Sequence, residues 1–238
     1  MIVVSQPRYL PALTYLQRLH FAGTFVMLDN VQRQKRGFEN RNRVLVDGET
    51  RWLTIPSSSS SREIIRNTTI DGVDWVVEHK EKLEQYYTSA PFFNLEYIEA
   101  YYKGLEEKIV EYNFDFSASM IHLINNICSL LGFSPTIIRA TDLDSSEVEA
   151  AYGPEKIFEI AKALKAKIYV SGLNGREYGI KDSFAKSNIE VKFHEDQPAK
   201  YTQGDQDFIP HLAFFDSLFY AGLDETVKQV KKEPTLLN

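Results

Sequence analysis

The sequence predicts an α/β fold, with a mostly parallel Rossmann-like sheet, a β-hairpin and a helical insertion. Three observations support this prediction. A strand, a helix and a second strand follow one another within residues 1–28, a two-residue turn then joins two β-rich segments, and strands and helices alternate again after residue 132. Alternation of this kind places parallel strands in one sheet and helices on its faces.

The N-terminal unit is a predicted strand, helix and strand. Residues 2–5 form a β-rich run that ends against Pro7, which cannot donate a ladder hydrogen bond. Apolar residues recur at helical spacing from residue 12 until Gly23 interrupts them, and residues 25–28 form a second apolar run. Two strands joined in this way are expected to lie side by side and parallel.

The next element is a predicted β-hairpin from Val44 to Ile55. Asp47 and Gly48 separate its two strands, and this dipeptide favours a turn whose central residues have positive φ. Five consecutive serines at 57–61 then predict a loop. The loop is either a simple connector or a mobile lid over a site, because it leaves directly from a strand end.

The middle of the chain is predicted to be helical, and the α/β alternation resumes after it. Three apolar stripes at helical spacing lie between residues 76 and 131, and Gly132 closes the last of them. The later elements are strands at 136–140, 168–170 and 189–193 and helices at 154–165 and 208–220. The predicted parts are an N-terminal α/β part with the basic block and hairpin (1–75), the helical insertion (76–132), a C-terminal α/β part of the same domain (133–222) and a C-terminal helix or tail (223–238).

Composition narrows the class of protein. The 238 residues are 43% hydrophobic and 25% charged, which is typical of a globular protein with a sizeable core. No apolar run reaches the roughly 20 residues of a membrane span, and the N-terminus lacks the pattern of a secretory signal. The single cysteine, Cys128, excludes an intramolecular disulfide and a cysteine-based metal cluster. We therefore expect a cytoplasmic protein. The sequence does not indicate whether it uses a cofactor, and a homo-oligomer is possible.

A basic block lies between Arg33 and Arg43. It holds five basic residues and one acidic residue, a local charge of +4, whereas the whole chain has a formal net charge of −6, so the rest sums to −10. That negative remainder argues against a polyanionic partner such as duplex nucleic acid. Guanidinium and amide groups together suit a compact anion, such as a phosphate or carboxylate. The predicted ligand contacts of this region are Gln32, Lys35, Arg36, Asn40, Arg41 and Asn42.

Two further polar clusters are expected at the same sheet edge as the basic block. Gln6 and Tyr15 follow the first strand, and the segment SGLNGREYG follows the strand at 168–170. Because ligands bind at the carboxyl edge of open α/β sheets, we expect one shared site. The glycines of the second segment suit either close approach of backbone amides to an anion or a simple tight turn. Its predicted contacts are Ser171, Gly172, Gly175, Arg176 and Tyr178.

Asp29 is the predicted catalytic residue. It follows the second strand and precedes the basic block, so it could bind a metal, pair with Arg36 or Arg41, or accept a proton as a general base. Asp216 and the five histidines are further acid–base candidates. The sequence lacks the HExxH spacing and clustered ligands of a metal centre, so no metal site is predicted.

The segment from Gln6 to Pro56 resembles the start of the WbqC-like proteins. Their pattern runs approximately QPxxxPxxxYxxLI, then D(D/N)VQxxKRGxxNRNRI, then a hairpin ending in LTIP. Further matches are HKEKLEQYYTSAPFF, IYVSGLNGREY, Phe184 before NIEVKF, Tyr201-Thr202-Gln203 and FIPHLAFFDSLFYAG, so the resemblance spans Ile2 to Gly222. Asn30 stands where many members have a second aspartate, which argues against a two-carboxylate metal site. Ala213 stands where many have serine, which argues against a nucleophile at that position.

The resemblance implies a role in bacterial surface polysaccharide synthesis, because the namesake of the family belongs to an O-antigen pathway. The leading hypothesis is a transferase that adds an acyl or aminoacyl group to a nucleotide-linked amino sugar, with the basic block on the phosphates and Asp29 as the base. One alternative is a nucleotidylyl-transfer or adenylate-forming enzyme, since residues 6–15 follow the first strand where such enzymes bind phosphates. The other alternative is a non-catalytic protein that binds a sugar nucleotide or serves as a scaffold.

Overall fold

The computed structural model of the protein describes residues 1–34, 36–58, 63–195 and 200–238. Across those ranges the strands are β1 (Ile2–Ser5), β2 (Thr24–Met27), β3 (Arg41–Val46), β4 (Glu49–Thr54), β5 (Ile137–Arg139), β6 (Ile168–Gly172), β7 (Glu190–His194) and β8 (Leu236–Leu237). Six of these described strands form the main sheet, in the order β5-β2-β1-β6-β7-β8. Its neighbouring strands are parallel except for the antiparallel pair of β7 and β8. The predicted α/β class and the mostly parallel sheet are confirmed.

The winding of the sheet changes direction between β1 and β6. Val3 of β1 pairs with Phe25 of β2 on one side and with Val170 of β6 on the other. Later strands extend the sheet outward on each side, with β5 beyond β2 and β7 beyond β6. Loops that leave β1 and β6 therefore diverge, and the crevice between such loops is where open α/β sheets bind ligands.

The first helix, α1 (Leu13–Phe21), joins β1 to β2 where the sequence predicts it. It forms because Leu16 and Leu19 lie one turn apart and are fully buried against the sheet. The helix ends at the extended residue Ala22, and Gly23 then passes so close to Met1 that a Cβ would lie 3.0 Å from the Met1 carbonyl oxygen. A larger residue at 23 would therefore disturb the start of β2.

Strands β3 and β4 form the predicted hairpin, which stands apart from the main sheet. Its turn residues Asp47 and Gly48 have φ values of +50° and +78°, as a two-residue hairpin turn of this kind requires. Leu45 and Leu53 are buried, whereas most of β4 is exposed. In the serine loop that follows, residues 59–61 lie outside the described residues, so the lid hypothesis stays a prediction.

Four helices form the predicted helical region, counted over the described residues: α2 (Trp75–Tyr87), α3 (Leu95–Tyr102), α4 (Leu105–Glu111) and α5 (Phe116–Leu130). The apolar stripe predicted as one unit across residues 98–109 is divided between α3 and α4, because Gly104 has a φ of +67° and ends the helical path. In α2 the buried tyrosine is Tyr87, whereas Tyr86 of the predicted stripe is only partly buried. Gly132 follows α5 with a φ of +72°, which confirms it as the residue that closes that helix.

The helices of the second half are α6 (Ser146–Ala150), α7 (Gly153–Ala163), α8 (Ile180–Phe184), α9 (Phe214–Ala221) and α10 (Leu223–Val230). The closing helix predicted from residue 208 begins only at Phe214. Pro210 lies in the preceding segment, and His211 has a φ of +60°, which is incompatible with a right-handed helix. Residues 208–213 therefore form irregular structure that is available to build a site wall.

Both faces of the main sheet are covered. Along β1, Val3 belongs to a large hydrophobic cluster shared with α1, the hairpin and the helical region, whereas Ile2 and Val4 belong to a smaller cluster with α7 and α8. This alternation buries consecutive residues on opposite faces, as parallel sheets require. The predicted division at residues 75, 132 and 222 stays a prediction. No helix in the part of the chain that the structure describes is long and apolar enough to cross a membrane.

Candidate functional site

A cavity of about 510 Å³ lies outside the carboxyl ends of β1 and β6, where the winding of the sheet changes direction. This volume is within the range of ligand sites in proteins. The end of β1, the loop after β6 and the start of α7 line it together with Gln34, so each of the three predicted polar clusters contributes to this edge. We name it the switch-point cavity, and its polar lining includes Gln6, Arg8, Arg18, Ser171, Asn174 and Tyr178.

Two glycines let the loop after β6 pack closely. A Cβ on Gly175 would lie 2.1 Å from Ser171 Oγ, and a Cβ on Gly172 would lie 3.2 Å from Nη1 of Arg18. Neither glycine has a positive φ, so close approach, not a tight turn, explains them. The loop consequently packs onto Ser171, and the Arg18 guanidinium reaches the backbone at the end of β6.

The two larger side chains of this loop point to different places. Tyr178 lines the switch-point cavity and is 67% exposed, so its ring and hydroxyl can meet a ligand. Arg176 Nη2 instead donates to the backbone oxygen of Asn238 at 2.9 Å, and Arg176 Cζ lies 4.8 Å from the ring centroid of Phe193. These contacts hold Arg176 against β7, and its binding role stays a prediction.

A second cavity of about 360 Å³ adjoins the first. Arg8, Arg18 and Asn174 line both cavities, so the two form one cleft with the arginines at their common wall. Tyr15 of α1 and Arg43 of the hairpin complete the second cavity. We name it the α1 cavity, because residues at the start of α1 form one of its walls.

Arg8 and Arg18 are the site residues that the sequence reasoning missed. An isolated arginine gives little signal beside a block as dense as residues 33–43. The position of Arg8 is nevertheless a signal in the sequence, because Arg8 follows Gln6 in the same segment after β1. Arg18 is three residues after Tyr15, which places both on one face of α1.

Gln6 and Tyr15 are in contact, and their binding roles stay predictions. The Tyr15 hydroxyl donates to the backbone oxygen of Gln6 at 3.2 Å. Burial raises the pKa of Tyr15, while nearby Arg8 and Arg18 oppose that rise. Tyr15 is therefore neutral at physiological pH and holds the turn after β1 in place.

The basic block does not gather around one point. Arg36 is exposed, and Arg41 Cζ lies 4.3 Å from the ring centroid of Trp52 on the outer face of the hairpin. Gln32 is also exposed, and Lys35 lies outside the described residues. The binding roles of these four polar residues stay predictions.

The two asparagines of the block hold the backbone. Asn40 Nδ2 donates to the carbonyl oxygen of Ile55 at 2.8 Å, and Asn42 Nδ2 donates to that of Leu10 at 2.5 Å. Leu10 has a φ of +45°, so the bond from Asn42 stabilises a strained turn after β1. Asn42 also lines the α1 cavity, and the ligand contacts of both asparagines stay predictions.

Asp29 is fully buried in an ion pair. Its Oδ2 accepts from Arg139 Nε at 2.7 Å, and its Oδ1 accepts from the backbone N–H of Thr141 at 3.0 Å. The partner is therefore Arg139 and not Arg36 or Arg41, because β5 lies next to β2 and ends with Arg139 opposite Met27. Burial lowers the pKa of Arg139, but its hydrogen bonds to the carboxylates of Asp29 and Asp115 raise it. The net effect is a raised pKa.

The irregular segment from Tyr201 to Ala213, which we name the strap, is tied to α9. The Gln203 side chain donates to the carbonyl oxygen of Ile209 at 3.1 Å and accepts from its N–H at 2.7 Å. Gln203 Nε2 and the Tyr201 hydroxyl also donate to Asp216 Oδ2, at 2.5 Å and 2.7 Å. Asp216 thus holds Tyr201 directly, and Gln203 links it to the backbone of Ile209.

Asp216 is a fully buried carboxyl group. Burial raises its pKa to about 6, although hydrogen bonds from Tyr201, Gln203 and Tyr87 oppose the rise. The strap that it holds brings His211 into the wall of the α1 cavity and brings the carbonyl oxygen of Pro210 within 3.3 Å of Arg43 Nη2. The site role of Asp216 is therefore indirect in this geometry.

Groups of three or more His, Cys, Asp or Glu that could hold a metal ion are absent from the residues that the structure describes. The polar groups that line the cleft include guanidinium, amide and hydroxyl groups. Such groups bind and polarise an anionic ligand through charge-assisted hydrogen bonds.

The fold and the cleft define an α/β protein with an arginine-lined cleft at the switch point of a mostly parallel sheet. The chain belongs to the WbqC-like protein family, whose model matches residues 6–228. It is 29% identical over 228 residues, covering 94% of each chain, to the uncharacterized protein Rv1507c of Mycobacterium tuberculosis (strain ATCC 25618 / H37Rv). No solved structure shows a significant match to the chain.

Proposed function

We propose that this protein is a transferase that binds a nucleotide-linked amino sugar in the switch-point cavity and adds an acyl or aminoacyl group to it. The reaction would be a cytoplasmic step of surface polysaccharide biosynthesis, as the family resemblance implies. The observation that carries the proposal is the pair of arginines, Arg8 and Arg18, at a ligand crevice whose floor is a glycine-rich loop.

The arginines are the proposed contacts of the phosphates. Guanidinium groups bind phosphate oxygens in bidentate geometry, and the close approach at Gly172 brings Arg18 to the end of β6. Tyr178 at the exposed side of the cavity offers a ring for stacking and a hydroxyl. On a chain with a net charge of −6, Arg8 and Arg18 supply local positive charge at the cleft that attracts an anion.

A binding measurement tests the first half of the proposal. We expect uridine diphosphate and nucleotide-linked amino sugars to bind the full chain in isothermal titration calorimetry, and Arg8→Gln or Arg18→Gln to weaken binding at least tenfold, about 1.4 kcal/mol. Arg51→Gln is the matched control, because Arg51 is exposed on β4 and its Cζ lies 6.0 Å from the Tyr86 ring, away from both cavities. Equal losses in all three variants would point to non-specific charge attraction.

A turnover measurement tests the second half. Mass spectrometry of nucleotide amino sugars incubated with acyl and aminoacyl donors should show the mass of the transferred group. Proton removal from the amine needs a base, and that role for Asp29 stays a prediction. Because both carboxylate oxygens of Asp29 already accept hydrogen bonds, Asp29→Asn should be compared with wild type for turnover and for binding separately.

A second candidate is a protein that binds the sugar nucleotide without transforming it. The position of Asp29 favours this reading, because its buried carboxylate is already bonded to Arg139 and to the Thr141 N–H and lines neither cavity. Saturable binding that depends on Arg8 and Arg18, with no product from any donor, would select this candidate over the transferase.

A further inference from the structure

We propose that the α1 cavity is a second binding subsite, which takes a small oxyanion group, a carboxylate or a phosphate, of a co-substrate. The pairing of two reactants rests on the proposed function, whereas the anion site itself does not. The two ligands would meet at the wall that Arg8 and Arg18 form between the cavities.

Charge is the first argument for this subsite. Arg8, Arg18 and Arg43 line a space of about 360 Å³, and His211 lies in the same wall. Among the described residues that line it there is no Asp or Glu. Like charges gathered around one cavity repel one another, and a bound anion relieves that repulsion.

The construction of the cavity is the second argument. Its walls come from α1, the hairpin and the strap, which are distant in sequence. Arg43 is positioned from both sides, since its backbone oxygen accepts from the Ala213 N–H at 2.9 Å and its Nη2 donates to the Pro210 oxygen. The strap carrying His211 is in turn tied to Asp216. Side chains held in place by separate supports are characteristic of a preorganised site.

The polar groups that accompany the arginines suit a small oxyanion. Thr14 and Asn174 offer a hydroxyl and an amide at the cavity, and Pro11 and Phe38 offer apolar surface beside them. A carboxylate or phosphate attached to a short apolar group fits this mixture. The volume is smaller than that of the switch-point cavity, so a compact co-substrate is expected there and the larger ligand in the neighbouring space.

Histidine NMR signals test the subsite without any assumption about turnover. The chain has five histidines, and His211→Gln identifies the signal of His211. Titration of the full chain with sodium acetate in one arm and inorganic phosphate in the other, at constant ionic strength, should shift the His211 signal saturably in at least one arm. The responding arm identifies the group as a carboxylate or a phosphate. The signal of buried His79 should stay unchanged.

Arg43→Gln supplies the decisive variant. We expect it to weaken the anion affinity read at His211 at least tenfold, while Arg51→Gln on the same hairpin, with the same loss of charge, leaves the affinity unchanged. Arg43 lines the α1 cavity but not the switch-point cavity. Arg43→Gln should therefore preserve uridine diphosphate binding. Retained nucleotide binding with no saturable His211 shift in either arm overturns the subsite. A His211 shift without nucleotide binding refutes the proposed function and leaves the subsite standing.

Discussion

Asp29 and Arg139 form a buried ion pair between the ends of two neighbouring parallel strands, with Arg139 Nε 2.7 Å from Asp29 Oδ2. Arg139 Nη1 also donates to Asp115 Oδ2 at 2.8 Å, and Asp115 caps the start of α5 by accepting from the Ala118 N–H. One guanidinium therefore joins β2, β5 and the longest described helix of the protein. The arrangement links the edge of the sheet to the helical region.

The first prediction concerns this pair. Arg139→Met should lower the free energy of unfolding by about 3 to 5 kcal/mol, because the fully buried carboxylate of Asp29 loses its countercharge. Urea denaturation measures the change. Arg66→Met is the matched control, since Arg66 pairs with Glu149 at 2.6 Å near the surface and should cost less than about 1 kcal/mol. Equal losses of unfolding free energy in the two variants would contradict a larger stabilising role for the buried Asp29–Arg139 pair.

The second prediction is a pH dependence set by Asp216. Its pKa of about 6 lies above the ordinary value of 3.8, so the folded state binds this proton more tightly than the unfolded state. The resulting stabilisation is complete below the ordinary pKa and is lost as pH rises through 6. The unfolding free energy of wild type, measured relative to Asp216→Asn, should therefore fall by about 1 kcal/mol between about pH 5 and pH 7.5. A difference between wild type and Asp216→Asn that stays constant over this pH range would contradict a raised pKa of Asp216.

The third prediction tests the close packing at Gly175. Gly175→Ala should lower both the melting temperature and the nucleotide affinity, because the added Cβ would lie 2.1 Å from Ser171 Oγ and 3.1 Å from Ser171 Cβ. Ser171→Gly removes both of these atoms. In that background Gly175→Ala should cost little, and a double-mutant cycle by thermal unfolding measures the coupling. Additive losses would mean that the alanine acts through another contact.

The fourth prediction uses tryptophan fluorescence. The chain has two tryptophans, and Trp52 is 43% exposed whereas Trp75 is 4% exposed. Acrylamide, a neutral quencher, should quench mainly one component of the emission, and Trp52→Phe should remove that component. Arg41→Gln should increase the quenching of Trp52 and cost less than about 1 kcal/mol of stability, as expected for a surface cation–π contact. Arg51→Gln should leave the quenching unchanged.

The fifth prediction concerns Cys128, the single cysteine. It is 1% exposed, and burial raises the pKa of its thiol, so the reactive thiolate is scarce in the folded state. Iodoacetamide labelling should therefore be slow in native buffer and should follow the urea unfolding transition. A variant with Cys128→Ala and Ser129→Cys places the thiol at the neighbouring exposed position and should react rapidly without urea. Rapid labelling of the native wild-type chain would contradict the buried placement.

Much of the fold is encoded in local patterns that a single sequence reveals. The alternation of β1, α1 and β2, the Asp47-Gly48 turn and the helical stripes each depend on neighbouring residues and were all predicted. The start of α9 was predicted too early, because an apolar period alone cannot reveal that the chain takes a positive φ at His211. The strap depends on Asp216 and Gln203, and their pairing is a tertiary contact.

The candidate site was predictable only in part for the same reason. The carboxyl edge of the sheet, Gln6 and the loop at Ser171 followed from strand positions, and all of them line the switch-point cavity. Which arginines reach that cavity depends on the packing of α1 and of the hairpin. Density of charge pointed to residues 33–43, whereas geometry brings in Arg8 and Arg18.

The adjacency of β1 and β6 also has a consequence for synthesis on the ribosome. Val3 pairs with Val170, so one wall of the cleft is made long before the other. At roughly 5 to 20 residues per second, the emerging β1 waits on the order of ten to thirty seconds for its second neighbour. During that interval one edge of β1 has unpaired backbone groups that are free to pair with another strand. The cleft is therefore incomplete until the second half of the chain has emerged.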